Sequence, residues 1–249
     1  MLTEERFSRI MSLLKQHGSV TVQQLMKALD ASESTIRRDL NALAGAGQLM
    51  KVHGGAVLKG TTYSATDDDV LSRKGLNRED KLRIARYAAS LIAPEDFVYL
   101  DAGTTTELMI DYIQSKTATF VTNAVTHAKK LSEIGCSVYI LGGEFKASTE
   151  AIVGDEAVSS LEKYNFTKGF WGTNGVSVTK GFSTPDIKEA MIKKKSMENC
   201  MDCYVLCDSS KFSKLSCVSF APFESATVLT TRLEEDIYRN YKNVVEVEA

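Results

Sequence analysis

Apolar residues recur with a helical period along the first fifty positions. Phe7, Ile10, Met11 and Leu14 fall at i, i+3, i+4 and i+7; Val22, Leu25 and Leu29 follow a similar spacing, as do Ile36, Leu40 and Leu43. Thr3 can cap the first helix, with Glu4 and Glu5 placed favourably against its dipole, and Gly18 stops it. Thr21 can cap the second, and the Asp30-Ala31-Ser32 turn separates it from the third. Leu49–Val52 and Ala56–Leu58, joined across Gly54-Gly55, then switch to a strand pattern and predict a small hairpin. Three short helices, a tight turn between the last two and a terminal hairpin describe a winged helix-turn-helix over residues 1–58.

Beyond it the pattern changes twice. Residues 59–75 lack periodicity and concentrate small polar and acidic residues, which predicts a linker. Asn77 with Asp80 then opens a helix on a capping-box-like pattern, continued by Ile84, Tyr87, Ala88 and Leu91 to the break at Pro94. From there short apolar strands alternate with helices. Strands are predicted at 97–100, 118–121, 137–141, 165–171, 202–206 and 226–229. Helices are predicted at 105–114, 125–133, 155–163 and 186–199, with 232–240 finishing the alternation. Residues 76–249 therefore read as one α/β domain with a largely parallel sheet.

Composition narrows the class. The 249 residues are 43% hydrophobic and 25% charged, an ordinary globular balance. The net charge of −2 is unevenly divided: residues 1–59 hold eight Lys/Arg against five Asp/Glu, the remainder 22 against 27. A positive head on a negative body suits a nucleic-acid-binding module joined to one that does not bind it. No stretch approaches 18 apolar residues, so no membrane partner is expected. Five cysteines point to a reducing cytoplasm. Cys200, Cys203 and Cys207 are spaced closely enough to suggest a metal or redox group, but no second pair or histidine supports them. Cys203, Val205 and Cys207 alternate as a buried strand does, so no metal site and no cofactor are expected.

The third helix carries the chemistry of the head. Arg37 and Arg38 lie off its apolar stripe, with Ser34 and Thr35 in the opening turn. Paired arginines alone are ordinary solvated surface, but a helix burying one side and offering hydroxyls and arginine on the other suits the DNA major groove. Val20-Thr-Val22, Ser34-Thr35-Ile36-Arg37-Arg38-Asp39-Leu40 and His53-Gly54-Gly55-Ala56 resemble the amino-terminal domain of the DeoR family of bacterial sugar-metabolism repressors. The resemblance implies a recognition helix bearing Ser34, Thr35, Arg37 and Arg38, with Lys51 and His53 on and beside the wing against double-stranded operator DNA.

In open α/β sheets ligands sit beyond the carboxyl ends of the strands, where this chain places its glycine and polar residues. Asp101-Ala-Gly103-Thr104-Thr105 follows the first strand. Thr122-Asn123, Gly142-Gly143-Glu144, Gly172-Thr-Asn174-Gly175 and Asp208-Ser-Ser-Lys211 follow others. Gly103 permits close approach and the threonines offer hydroxyls to an anion such as phosphate, while Asp101 is expected to accept from sugar hydroxyls. Lys211 supplies a point charge for phosphate and Asp208 a hydroxyl acceptor. The same segments resemble the family's effector domain, which implies a fold akin to ribose-5-phosphate isomerase and a phosphorylated sugar as effector. In lactose-type members lysines ahead of the sheet and an Asp-x-x-Lys pair serve the inducer response. Lys81 and Asp208 with Lys211 match those positions, and Lys74 matches less closely. Gly181-Phe-Ser-Thr184-Pro185-Asp186 further resembles the fructose and lactose phosphotransferase branches.

Two functions follow. The first is a repressor, homodimeric or homotetrameric, released from its operator by a sugar phosphate of the fructose 1-phosphate or tagatose 6-phosphate type. The alternative is a sugar-phosphate isomerase-like enzyme with an appended DNA-binding head, whose chemistry needs a carboxylate base. Glu107, Glu144, Asp155 and Glu189 are available, but no spacing marks one as that base, so no catalytic residue is assigned. His17 and His127 read as structural.

Overall fold

The computed structural model describes residues 2–17, 19–52, 54–58, 62–64, 70–233 and 236–248. In the head, α1 (Thr3–His17) precedes β1 (Ser19–Thr21), α2 (Val22–Leu29), α3 (Glu33–Gly45), β2 (Leu49–Val52) and β3 (Gly55–Leu58). Thr3 is the first helical residue of α1 instead of its cap. Thr21 does cap α2, and its hydroxyl and the Gln24 side chain exchange hydrogen bonds with each other's backbone amides. Asp30, in the left-handed region at φ 46°, closes α2 and turns the chain into α3.

Ile10, Leu14, Leu25, Ile36, Leu40 and Leu43 form one small core, as their periods require. A buried Arg6–Asp39 pair, at 2.5 and 3.0 Å, ties α1 to α3. The strand β1 went unpredicted; it joins the wing in a sheet of order β1-β3-β2. A side chain at Gly55 would strike the Val20 carbonyl, which is why that wing strand begins on glycine.

The expected linker carries two ordered elements, β4 (Thr62–Ser64) and α4 (Val70–Gly75). The Val70 amide donates to the Ser148 carbonyl, and Lys74 pairs with Glu107 at 3.1 Å.

The body then runs α5 (Arg78–Ser90), β5 (Phe97–Leu100), α6 (Thr104–Met109), β6 (Thr119–Thr122), α7 (Val125–Glu133) and β7 (Ser137–Ile140). A hairpin follows, β8 (Glu144–Lys146) with β9 (Ala151–Val153), then α8 (Asp155–Leu161) and β10 (Phe166–Gly172). Next come β11 (Gly175–Ser177), β12 (Gly181–Thr184), α9 (Ile187–Glu198), β13 (Cys200–Leu206), β14 (Lys214–Ser216) and β15 (Val218–Ala221). The chain closes with β16 (Thr227–Thr230), α10 (Asp236–Arg239) and β17 (Val244–Glu246). Seven parallel strands form the main sheet in the order β17-β16-β13-β10-β5-β6-β7. Alternation along them feeds two cores. Val98, Leu100, Phe170, Leu206 and Leu229 face α5 and α6; Tyr99, Trp171, Val205 and Val228 face α8 and α9. Trp171 stacks on Tyr99 at 5.6 Å and donates its indole N–H to Ser196 of α9 at 2.9 Å.

From β5 the chain winds outward through β6 and β7, then returns to β10 on the other side of β5 and winds outward the opposite way. The β5–β10 pair is therefore the switch point at which strand order reverses. Two short pieces, the antiparallel β11-β12-β15 and the parallel pair β14-β4, lie outside the main sheet. No helix among the described residues is long and apolar enough to cross a membrane.

Candidate functional site

In the head, Ser32 caps α3, its hydroxyl accepting from the Thr35 amide at 3.3 Å. Ile36, Asp39, Leu40 and Leu43 are buried, which turns Ser34, Arg37 and Arg38 outward. Thr35 is half-buried, its hydroxyl 2.9 Å from that of Ser32. Arg37 pairs with Glu33 one turn back at 2.7 Å, an exposed contact worth little and easily exchanged for phosphate. Lys51 on the wing donates to Asn41 of α3 at 2.5 Å. The structure thus brings Ser34, Arg37 and Arg38 to one exposed face of α3 and joins the wing to that helix. His53 lies outside the described residues.

In the body a cavity of about 300 Å³ opens at the carboxyl ends of β5, β10 and β13, at the switch point. Eight of the sequence-predicted effector residues line it: Lys81, Gly103, Thr104, Thr105, Gly172, Asn174, Asp208 and Lys211. The other four do not. Thr122 and Asn123 are buried beneath the loop after β5, where Asn123 accepts from the Ala102 amide at 3.0 Å and Thr122 donates to the Leu100 carbonyl. Gly143, at φ 140°, fits the start of the β8–β9 hairpin, where a side chain would meet the Val153 carbonyl. Asp101 differs most from expectation. It is fully buried, bound to the ammonium of Lys193, and accepts from the Gly172 amide at 3.1 Å, so it anchors a lysine and the β10 loop instead of facing a sugar.

The cavity's charge is uneven. Arg73, Lys81, Lys193, Lys211 and Lys214 line it against the two carboxylates of Glu189 and Asp208. Burial holds the Lys81 ammonium below its usual range although Asp208 favours its charge; its N–H donates to the Arg73 carbonyl at the end of α4. The Lys211 ammonium makes no hydrogen bond or ion pair to the described residues, so it is open to an anion. Asp208 caps the short turn that carries Lys211 and accepts from Asn77 at 2.9 Å. Asn77 stands at the start of α5 as predicted, but its side chain serves Asp208 and does not cap the helix. Burial pushes the Asp101 carboxyl up despite Lys193. Behind the cavity, burial holds His127 at about 4; it is neutral at pH 7, with one ring nitrogen 3.2 Å from the Thr106 hydroxyl. Burial also raises Glu107, but Lys130 and Lys74 outweigh it and keep that carboxylate ionised.

Sequence reasoning passed over Arg73, Asn77, Thr149, Lys193 and Lys214 as lining residues, and counted Glu189 only as an unassigned carboxylate. Lys193 stands in the run Lys193-Lys194-Lys195, which reads as a solvated face. Only tertiary packing shows that its ammonium is buried on Asp101 and the Gly172 carbonyl.

Residues 6–62 match the DeoR-like helix-turn-helix domain, and residues 76–232 match the DeoR C-terminal sensor domain. Over 99% of both chains the sequence is 44% identical to the uncharacterized HTH-type transcriptional regulator FruR of Bacillus subtilis (strain 168). It is 32% identical to the lactose phosphotransferase system repressor of Streptococcus mutans, over 95% of this chain and 94% of that one. Among solved structures, ribose 5-phosphate isomerase A from Methanocaldococcus jannaschii is similar over 55% of each chain, at 17% identity and a TM-score of 0.41.

Proposed function

From a chain that belongs to the DeoR family of transcriptional regulators, we infer a cytoplasmic repressor of a sugar-utilisation operon that leaves its operator when a phosphorylated sugar fills the body's cavity. The observation that carries this reading is the lysine-rich cavity at the sheet's switch point, with the buried Lys81 on its wall and Lys211, whose ammonium has no hydrogen-bond or ion-pair partner among the described residues. A dianionic phosphate meets those two lysines, while Gly103, Thr104, Thr105, Gly172 and Asn174 enclose the ligand and Asp208 holds the Lys211 turn. The effector is of the fructose 1-phosphate or tagatose 6-phosphate type, in keeping with a relative named as a lactose phosphotransferase system repressor.

The output is the outward face of α3: Ser34, Thr35, Arg37 and Arg38, with Lys51 and His53 at the wing. One head this small makes few base contacts, so a homodimer or homotetramer reads repeated half-sites. The effector acts by preferring the arrangement whose heads are misplaced for those half-sites.

The isomerase alternative needs a carboxylate poised to take a proton from carbon. Around the cavity each carboxylate has an oxygen committed to the scaffold: Asp101 to Lys193, Asp208 to Asn77 and Ser210, and Oε1 of Glu189 to Lys146 and Thr149. That supports a sensor over an enzyme. The test is a thermal-shift panel of sugar phosphates on the purified protein, followed by operator binding with each hit. A ligand at 100 times its dissociation constant adds about 2.7 kcal/mol and should weaken operator binding. Operator binding untouched by every sugar phosphate, or turnover of one, would refute the reading.

A further inference from the structure

We propose that α9 reads the sugar: Glu189 and Lys193 form a subsite for the hydroxylated end of the ligand and set which sugar phosphate is accepted. The proposal rests on the sugar-phosphate reading above and adds the residues that discriminate.

Glu and Lys four residues apart on a helix ordinarily pair with each other. Here each is held by a different partner. One oxygen of Glu189 accepts from Lys146 at 3.1 Å and from Thr149 at 2.7 Å, while Lys193 donates to Asp101 and to the Gly172 carbonyl at 3.1 Å. Both side chains line the cavity. Two opposite charges on one wall of a cavity are thus each tied to a different partner and not to each other.

Their remaining capacity is complementary to a polyol. Among the described residues the second oxygen of Glu189 has only a long contact from Thr184, at 3.4 Å, and is placed to accept a hydrogen bond from a hydroxyl. Lys193 has spent two of its three N–H donors, leaving one for a hydroxyl, carbonyl or ring oxygen. The Phe220 ring lies 5.6 Å from that ammonium, an aromatic neighbour favourable to its charge. A phosphate dianion, which only accepts, is repelled by Glu189 and goes instead to Lys81 and Lys211. The ligand is therefore oriented, phosphate toward the lysines of α5 and the β13 loop and hydroxyls toward α9.

The test is calorimetric titration of the full chain with inorganic phosphate at millimolar concentration, fructose 1-phosphate, and the pair fructose 6-phosphate and tagatose 6-phosphate, which differ at one hydroxyl. Glu189→Gln should weaken the preferred sugar phosphate about tenfold or more, the effect of losing a charge-assisted hydrogen bond. It should also change the preference within the pair and leave inorganic phosphate unchanged or slightly tighter. The double variant Asp101→Asn/Lys193→Met, which removes both buried charges together, should behave likewise and still bind operator DNA. Lys211→Met should weaken all four ligands alike. Equal losses of phosphate and sugar phosphates in Glu189→Gln, or no loss of any, would overturn the proposal. A wild-type protein that binds no sugar phosphate would instead remove the parent reading, and this one with it.

Discussion

Replacing Lys193 by Met strands the carboxylate of Asp101, which is 1% exposed and keeps only the Gly172 amide as a donor. Two estimates of the cost converge. Removing one partner of a buried ion pair destabilises by about 3–5 kcal/mol. The carboxyl can escape by taking up a proton, which at pH 7 costs about 4 kcal/mol from its ordinary value of 3.8. The second route sets a ceiling that falls with pH, to about 1.6 kcal/mol at pH 5. The sign is fixed: with the folded carboxyl raised above its unfolded value, stability is kept in acid and lost as pH climbs past the unfolded value. Urea unfolding followed by circular dichroism should show the Lys193→Met variant weakened by about 3–4 kcal/mol at pH 7 and by less than half of that at pH 5. Asp101→Asn/Lys193→Met should recover most of the loss at pH 7. A loss that is independent of pH, or a double variant no better than the single, would refute the buried-pair argument.

Arg37→Ala/Arg38→Ala should abolish operator binding, measured by fluorescence anisotropy of labelled DNA, and leave sugar-phosphate titrations unchanged. His127, held at about 4 against an ordinary 6.5, favours the folded state above pH 6.5 and loses that contribution as pH falls through 4. The difference is about 3 kcal/mol, so unfolding of His127→Gln should respond less to acid over that range than wild type. Because burial lowers the Lys81 ammonium, sugar-phosphate affinity should fall as pH rises toward 10.5, and Lys81→Met should flatten that dependence.

Much of the fold was legible because its signals are local. The Thr21 capping box, the Ile36-Leu40-Leu43 stripe and the 125–133 helix all follow from residues within two turns of one another. Among the elements that escaped, β1, β12, β14 and β15 are only three or four residues long and pair with strands distant in sequence. The helix expected over 105–114 shortens to α6 and a tight turn ending at Tyr112. At the site, glycine and threonine loops after parallel strands marked the cavity, but pairing across it was invisible. Asp101 and Lys193 are 92 residues apart. Nothing near either one says that a carboxylate in a strand-end loop is the counter-ion of a lysine in a basic run. Asn77 was legible as a helix start yet not as a partner of Asp208, because a cap is a local bond and this contact spans 131 residues.

Trp171 is the chain's only tryptophan. It precedes Gly172 of the cavity wall, and its indole is bonded to Ser196, three residues beyond Lys193 on α9. The body thus contains the one tryptophan, wired to the helix proposed to meet the sugar, while residues 1–58 contain neither tryptophan nor tyrosine. Excited beyond the tyrosine band, its emission should respond to events in the cavity with no label attached and stay unchanged when only the head unfolds. Occupancy of the sensor and engagement of the operator can therefore be followed separately in one cuvette, by native emission and by a dye on the DNA.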